Sequence, residues 1–199
     1  MAHNIENSKN TLTALLQKVQ DQAARSADFL APTNNLQKVT SENGAPGLVI
    51  EASRGVPTKH FKINDTAFGQ MATHAGIDTR TARRLQLGYS KQYDNLLNAI
   101  WDKEATVRMI RTHLNIEKEA GTVGDDGVVR AWVSDKFKTF DNSNLLESIL
   151  PPLMEKNLQV VSADLSEKRM YLRLKSLDQL GTGANVGDHM ANGIGFGNS

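Results

Sequence analysis

The run from Gln70 to Leu85 constrains the fold of this chain more than any other segment. Ala72, Gly76, Ile77, Ala82 and Leu85 follow the grammar of a helix–turn–helix: a small residue at a helix contact, a glycine for a left-handed turn, an apolar plug and an inward stripe. Asp78 is placed to cap the second helix, whose outward positions are Thr79, Arg80, Arg83 and Arg84. Such a pair is either an αα-hairpin that merely packs or a unit whose second helix brings Arg80, Arg83 and Arg84 to phosphates and base edges.

Short period-two runs flank this helical pair. Leu48–Ala52 and His60–Ile63 read as strands, followed by a helix capped by Asp65 that runs through Phe68, Met71, Ala72 and Ala75 to Gly76. Tyr93–Ile100 carries a further helical stripe, and 107–116 with Val128–Val133 predicts a hairpin around a polar turn region. A helix from Asn142 or Ser143 through Leu145, Leu146, Ile149 and Leu150 is expected to stop at Pro151–Pro152, before a second hairpin from Leu158–Ala163 and Met170–Leu174. The class is α+β: antiparallel hairpins packed with helices.

The first 40 residues are polar, yet Leu12, Leu15, Leu16, Val19 and Ala23 recur at helical spacing behind candidate caps at Ser8 and Asn10. This amphipathic helix can face its own domain or another subunit. Ala31–Asn35 and Ser41–Gly47 read as loops around a short segment. The expected organisation is therefore an N-terminal helix and linker over 1–46, an α+β core over 47–180 and a Gly-rich segment over 181–199. That last segment either stays irregular or opens a strand at Asn192–Phe196.

Across 199 residues, 39% hydrophobic and 23% charged, the composition is that of a folded protein. The absence of cysteine excludes disulfides, thiolate metal sites and thiol nucleophiles, and the N-terminus has no apolar signal segment, so a cytoplasmic setting is expected. Net charge is only +1, but Arg54 to Lys91 holds seven basic residues against two acidic ones. Such a basic island attracts phosphates.

A second constellation lies between Arg130 and Asn142, where Trp132, Phe137 and Phe140 alternate with Arg130, Lys136 and Lys138. Stacking faces beside cations suit single-stranded nucleic acid, although a strand tryptophan also suits a core. Catalytic patterns are thin. The five histidines show no metal-ligand spacing, Asp125–Asp126 sits in a Gly-flanked turn, and neither a phosphate-binding GxxxxGK[ST] loop nor a GxSxG elbow occurs, so no enzyme activity, metal or cofactor is expected. His74 reads as a surface or packing histidine.

Phe61–Met71 with Gly76 and Ile77, then Val107–Thr112, Val129–Lys138, Gly187–Asp188 and Gly193–Ser199 occur in an order that resembles the phage/plasmid-like protein family of unknown function, carried by prophages, phages and plasmids. The resemblance covers about residues 55–199. In that family the last motif continues as Asn-Ser-Glu-Val-Gly, so this chain is expected to stop inside a motif. The resemblance implies a mobile-element, DNA-handling setting. It is also similar in broad plan to phage single-strand annealing proteins, small α+β proteins that form rings or filaments with a basic groove.

These readings lead to a non-catalytic protein that binds or anneals single-stranded DNA in recombination. Arg130, Lys136 and Lys138 would meet phosphates, Arg108 and Arg111 would extend the groove, and Trp132 or Phe137 would stack bases. The alternatives are a duplex-binding regulator that uses Arg80, Arg83 and Arg84, or a host-interaction protein of a mobile element. Annealing needs repeated protomers, so a homo-oligomer is expected, with the N-terminal helix or the strands Val128–Val133 and Met170–Leu174 as contacts.

Overall fold

In the computed structural model, the described residues are 2–52, 57–115, 126–155, 158–166, 170–176 and 193–198. The elements run α1 (Ala2–Arg25), β1 (Ser26–Pro32), β2 (Leu36–Thr40), β3 (Pro46–Ile50), β4 (Lys59–Ile63), α2 (Asp65–His74), α3 (Thr79–Gly88), α4 (Ser90–Glu104), β5 (Val107–Leu114), β6 (Gly127–Ser134), α5 (Asn142–Glu155), β7 (Leu158–Leu165), β8 (Met170–Ser176) and β9 (Gly193–Asn198). The fold is α+β.

The chain divides into two compact units, one made of Met1–Ala24 with Thr139–Ser199 and the other of Arg25–Lys138. The division does not fall near Gly47. Of the expected loop Ala31–Asn35, the first two residues end β1 and Thr33–Asn35 form a 3-10 turn, while the short segment between the two expected loops is β2, because the Pro32–Asn35 turn signals mark only that corner.

The larger unit is built on a six-stranded sheet in the order β1-β5-β6-β4-β3-β2, in which only β4 and β6 run parallel. Helices α2, α3 and α4 connect β4 to β5. Their apolar side chains pack with Leu36, Leu48, Phe61, Ile110, Val129 and Trp132 of the sheet in one core. Within it, Trp101 of α4 stacks on Trp132 of β6 with ring centroids 4.9 Å apart. Burying such rings is among the largest apolar contributions a side chain makes.

Local chemistry sets the helix ends. Asn64, rather than Asp65, caps α2: its side chain accepts the Ala67 N–H at 2.9 Å, while Asp65 sits in the first turn. Asp78 caps α3 as expected, accepting from Arg80 and Thr81 at 3.0 Å each. Between these helices Gly76 adopts φ +71°, the left-handed turn that its position requires. Gly127 is the tighter constraint, with φ +131° and a hypothetical Cβ only 2.0 Å from the His113 carbonyl oxygen.

One polar cluster ties the sheet to the helices. Lys38, 1% exposed on β2, donates from Nζ to Asp94 Oδ1 at 2.7 Å, Gln86 Oε1 at 3.0 Å, Val39 O at 3.2 Å and Thr40 Oγ1 at 3.3 Å. Burial lowers its pKa below 10.5, and Asp94 partly offsets the shift.

The smaller unit contains α1, α5 and the sheet β7-β8-β9. Leu15 and Val19 of α1 are buried with Leu146, Ile149, Val160, Met170, Leu172 and Leu174. The α1 stripe is thus occupied by its own unit. Helix α5 continues through Pro151 and Pro152 instead of stopping there, because proline's φ is helical, the missing N–H groups remove only local bonds, and the Leu146–Ile149 stripe is anchored in a core. Residues 193–198 form the strand β9 along β8, the strand alternative for the Gly-rich end, whereas 181–192 lie outside the described residues. Strand β8 is therefore central, and β6 is flanked by β5 and β4, so neither of the strands expected to mediate subunit contacts is a sheet edge.

Candidate functional site

Strand β6 outruns its parallel neighbour. Strand β4 pairs with it only as far as Ile63↔Val129, after which the chain turns into α2. The Trp132 N–H, which would have met a longer β4, donates instead to Gln70 Oε1 at 2.7 Å. Helix α2 thus lies beside the exposed end of β6. The two enclose an open groove of about 500 Å³ lined by Thr66, Gly69, Gln70, Thr73 and His74 of α2, Thr79 of α3, Arg108 of β5, and Trp132, Val133 and Ser134 of β6. Thr66, Gly69, Gln70 and Thr73 recur at helical spacing, so one face of α2 supplies that wall.

Polar chemistry concentrates at His74. Its Nε2 lies 3.3 Å from Glu104 Oε2, and its ring is 6.0 Å from that of Trp132. Burial pushes its pKa below 6.5; the Arg108 charge adds to this and Glu104 opposes it. Neutral His74 with Nε2–H toward Glu104 carries its acceptor lone pair on Nδ1, which has no hydrogen-bond partner among the described residues. Arg108 Nε and Trp132 Nε1 are likewise buried without hydrogen-bond partners among the described residues. The groove therefore combines a cation, hydroxyls, an amide and a histidine. No cluster of three His, Asp or Glu side chains able to hold a metal ion occurs among the described residues.

The structure separates the residues expected to bind DNA. Arg108 and Trp132 line the groove, but Trp132 is 3% exposed and stacked on Trp101, so its ring belongs to the core and offers no face to a base. Arg111 does not extend the groove: alternation along β5 turns it away from Ile110, and it is buried with Nε 3.2 Å from each Asp28 carboxylate oxygen. Arg130 is half-buried beside the register shift opposite Arg111/Thr112 and does not line the groove.

Arg80, Arg83 and Arg84 are exposed on α3. Arg83 contacts Asp65 at 3.2 Å and lies over the Phe68 ring at 5.5 Å. Lys136, Phe137 and Lys138 follow β6 in exposed chain, with Phe137 45% exposed. Sequence reasoning missed Thr66, Gln70, Thr73, Glu104 and Ser134 and set His74 aside. The polar i, i+3/i+4 face of α2 was the signal that could have found Thr66, Gln70, Thr73 and His74; Glu104 and Ser134 come from other elements and carried none.

No helix among the described residues is long and apolar enough to cross a membrane. Comparison with protein-family models, curated proteins and solved structures gives no match.

Proposed function

We propose that the chain binds single-stranded nucleic acid, without catalysis, along the groove between α2 and the end of β6. One observation carries this reading: the groove has Arg108 in its wall, and two of its lining residues, Thr79 and Ser134, are followed in the chain by Arg80 and by Lys136, Phe137 and Lys138. A cation in the wall and further cations in the chain that continues from its lining residues suit a flexible phosphate backbone, and Phe137, which has the Arg111 guanidinium 5.9 Å from its ring centroid, is still half-exposed for a base. A duplex reading through α3 is weaker, because Arg83 is engaged with Asp65 and Phe68. A phage or plasmid recombination role in a bacterial cytoplasm accords with the family resemblance.

Fluorescence anisotropy with labelled single strands of unrelated sequence and the matching duplexes tests this. Single strands bind about tenfold or more tighter than duplex, and Lys136→Ala with Lys138→Ala weakens them about tenfold without changing the melting temperature. Equal or tighter duplex binding, lost in Arg80→Ala with Arg84→Ala, would replace this reading with the regulator. No binding to either would remove both.

A further inference from the structure

The six-stranded sheet has two edges, and they are finished differently. At β2 the Lys38 N–H donates to Asn98 Oδ1 at 2.7 Å, and Asn98 Nδ2 donates to the Lys38 carbonyl at 3.0 Å. An amide from α4 thus occupies the main-chain groups that another strand would use. Strand β1, at the other edge, pairs with β5 over seven residues without a register shift. The Thr33 N–H continues that ladder to the Thr106 carbonyl at 2.9 Å, which fixes the alternation. Ala27, Phe29 and Ala31 turn their main-chain groups toward β5, while Asp28 and Leu30 turn theirs outward. On that side neither has a partner among the described residues.

Side chains before Pro32 guard this edge little. Natural edge strands commonly carry a charge that keeps other strands away. The only charged residue of β1 is Asp28, and its carboxylate is held by Arg111. Leu30 is 63% exposed, and the register places it beside Met109 with Pro32 beside Val107, itself 46% exposed, on the same face.

We propose that β1 is a dimerisation edge, to which a second copy of this chain adds its own β1 antiparallel with Leu30 opposite Leu30. This register buries the exposed leucines against each other, joins their outward N–H and C=O groups, and lets each Asp28 N–H donate to the Pro32 carbonyl of the other copy. Asp28 opposite Asp28 would face like charges, and Phe29 opposite Phe29 would set each Leu30 beside a carboxylate. Pro32, lacking an N–H, ends the pairing. The two-fold axis is perpendicular to the sheet, so the helix-covered faces and grooves of both copies lie on one side.

Light scattering on the full chain tests the proposal, and the cysteine-free sequence allows a position-specific check. The wild type runs at about twice 21.8 kDa. Leu30→Lys runs at the monomer mass and keeps a cooperative thermal melt, which shows that it still folds. Under mild oxidant Leu30→Cys forms a disulfide-linked dimer about tenfold or more faster than Leu87→Cys, a control at an 89% exposed position. A wild type at monomer mass up to its solubility limit would overturn the proposal. So would a dimer that persists in Leu30→Lys while Leu30→Cys cross-links no faster than the control.

Discussion

Replacing Asp94 by alanine leaves the Lys38 ammonium buried without the carboxylate that pairs with it, and the effect on stability follows from the geometry. Gln86, Val39 and Thr40 still accept from Nζ, but no charge then opposes the cation. Breaking a buried pair from one side costs about 3–5 kcal/mol. At about 4 °C per kcal/mol that lowers the melting temperature by roughly 12–20 °C. Lys38→Met removes the charge instead and leaves Asp94 accepting from Thr40, its side chain 13% exposed, so the cost is about 1–2 kcal/mol.

The pH dependence of these variants follows by linkage. Folding holds the Lys38 pKa below 10.5, so between the lowered value and 10.5 the unfolded chain binds more protons and stability rises with pH. Asp94→Ala removes the group that raises this pKa and therefore starts the rise at lower pH. Urea titrations followed by circular dichroism at several pH values measure both effects. Asp94→Ala within about 1 kcal/mol of wild type, or Lys38→Met costing as much as Asp94→Ala, would refute the buried-charge argument.

Two glycine substitutions separate backbone strain from collision. Gly76→Ala, with nothing within 4 Å of the added Cβ, costs only the left-handed penalty of about 1–2 kcal/mol, whereas Gly127→Ala drives a methyl into the His113 carbonyl and costs more, a difference that thermal melts resolve. His74 makes single-strand affinity rise as pH falls through its lowered pKa, because an imidazolium joins Arg108, and anisotropy on His74→Gln shows a flat profile by comparison. The same depressed pKa makes the fold lose stability as pH falls below 6.5, where the unfolded chain takes up the proton first.

Local signals carried much of this fold into view. Gly76, Asp78 and the stripe through Ala82 are a short-range pattern, and the helical pair forms where the periodicity places it. The Val107 and Val128 strands likewise pair as a hairpin. What stayed hidden is long-range. Arg111 reads as a free cation until Asp28, 83 positions away, is found beside it. Alternation in β6 puts Trp132 on a face but does not say which face is covered, so a core ring passed for a stacking platform. Strands β1 and β2 were obscured because Lys38 occupies an inward position and the corner between them is rich in turn residues. The groove needed the tertiary fold, since α2, β5 and β6 contribute to it from three separated stretches.

The salt dependence of single-strand affinity tests the central claim most directly, because it counts phosphate contacts. With Arg108 in the wall and Arg80, Lys136 and Lys138 next along the chain from its lining residues as the four proposed phosphate contacts, log K should fall against log salt with a slope of about −3, taking roughly 0.7 per contact. Removing Lys138 should reduce the steepness by about 0.7. A slope near zero, or one that no longer changes when these side chains are removed, would contradict the account.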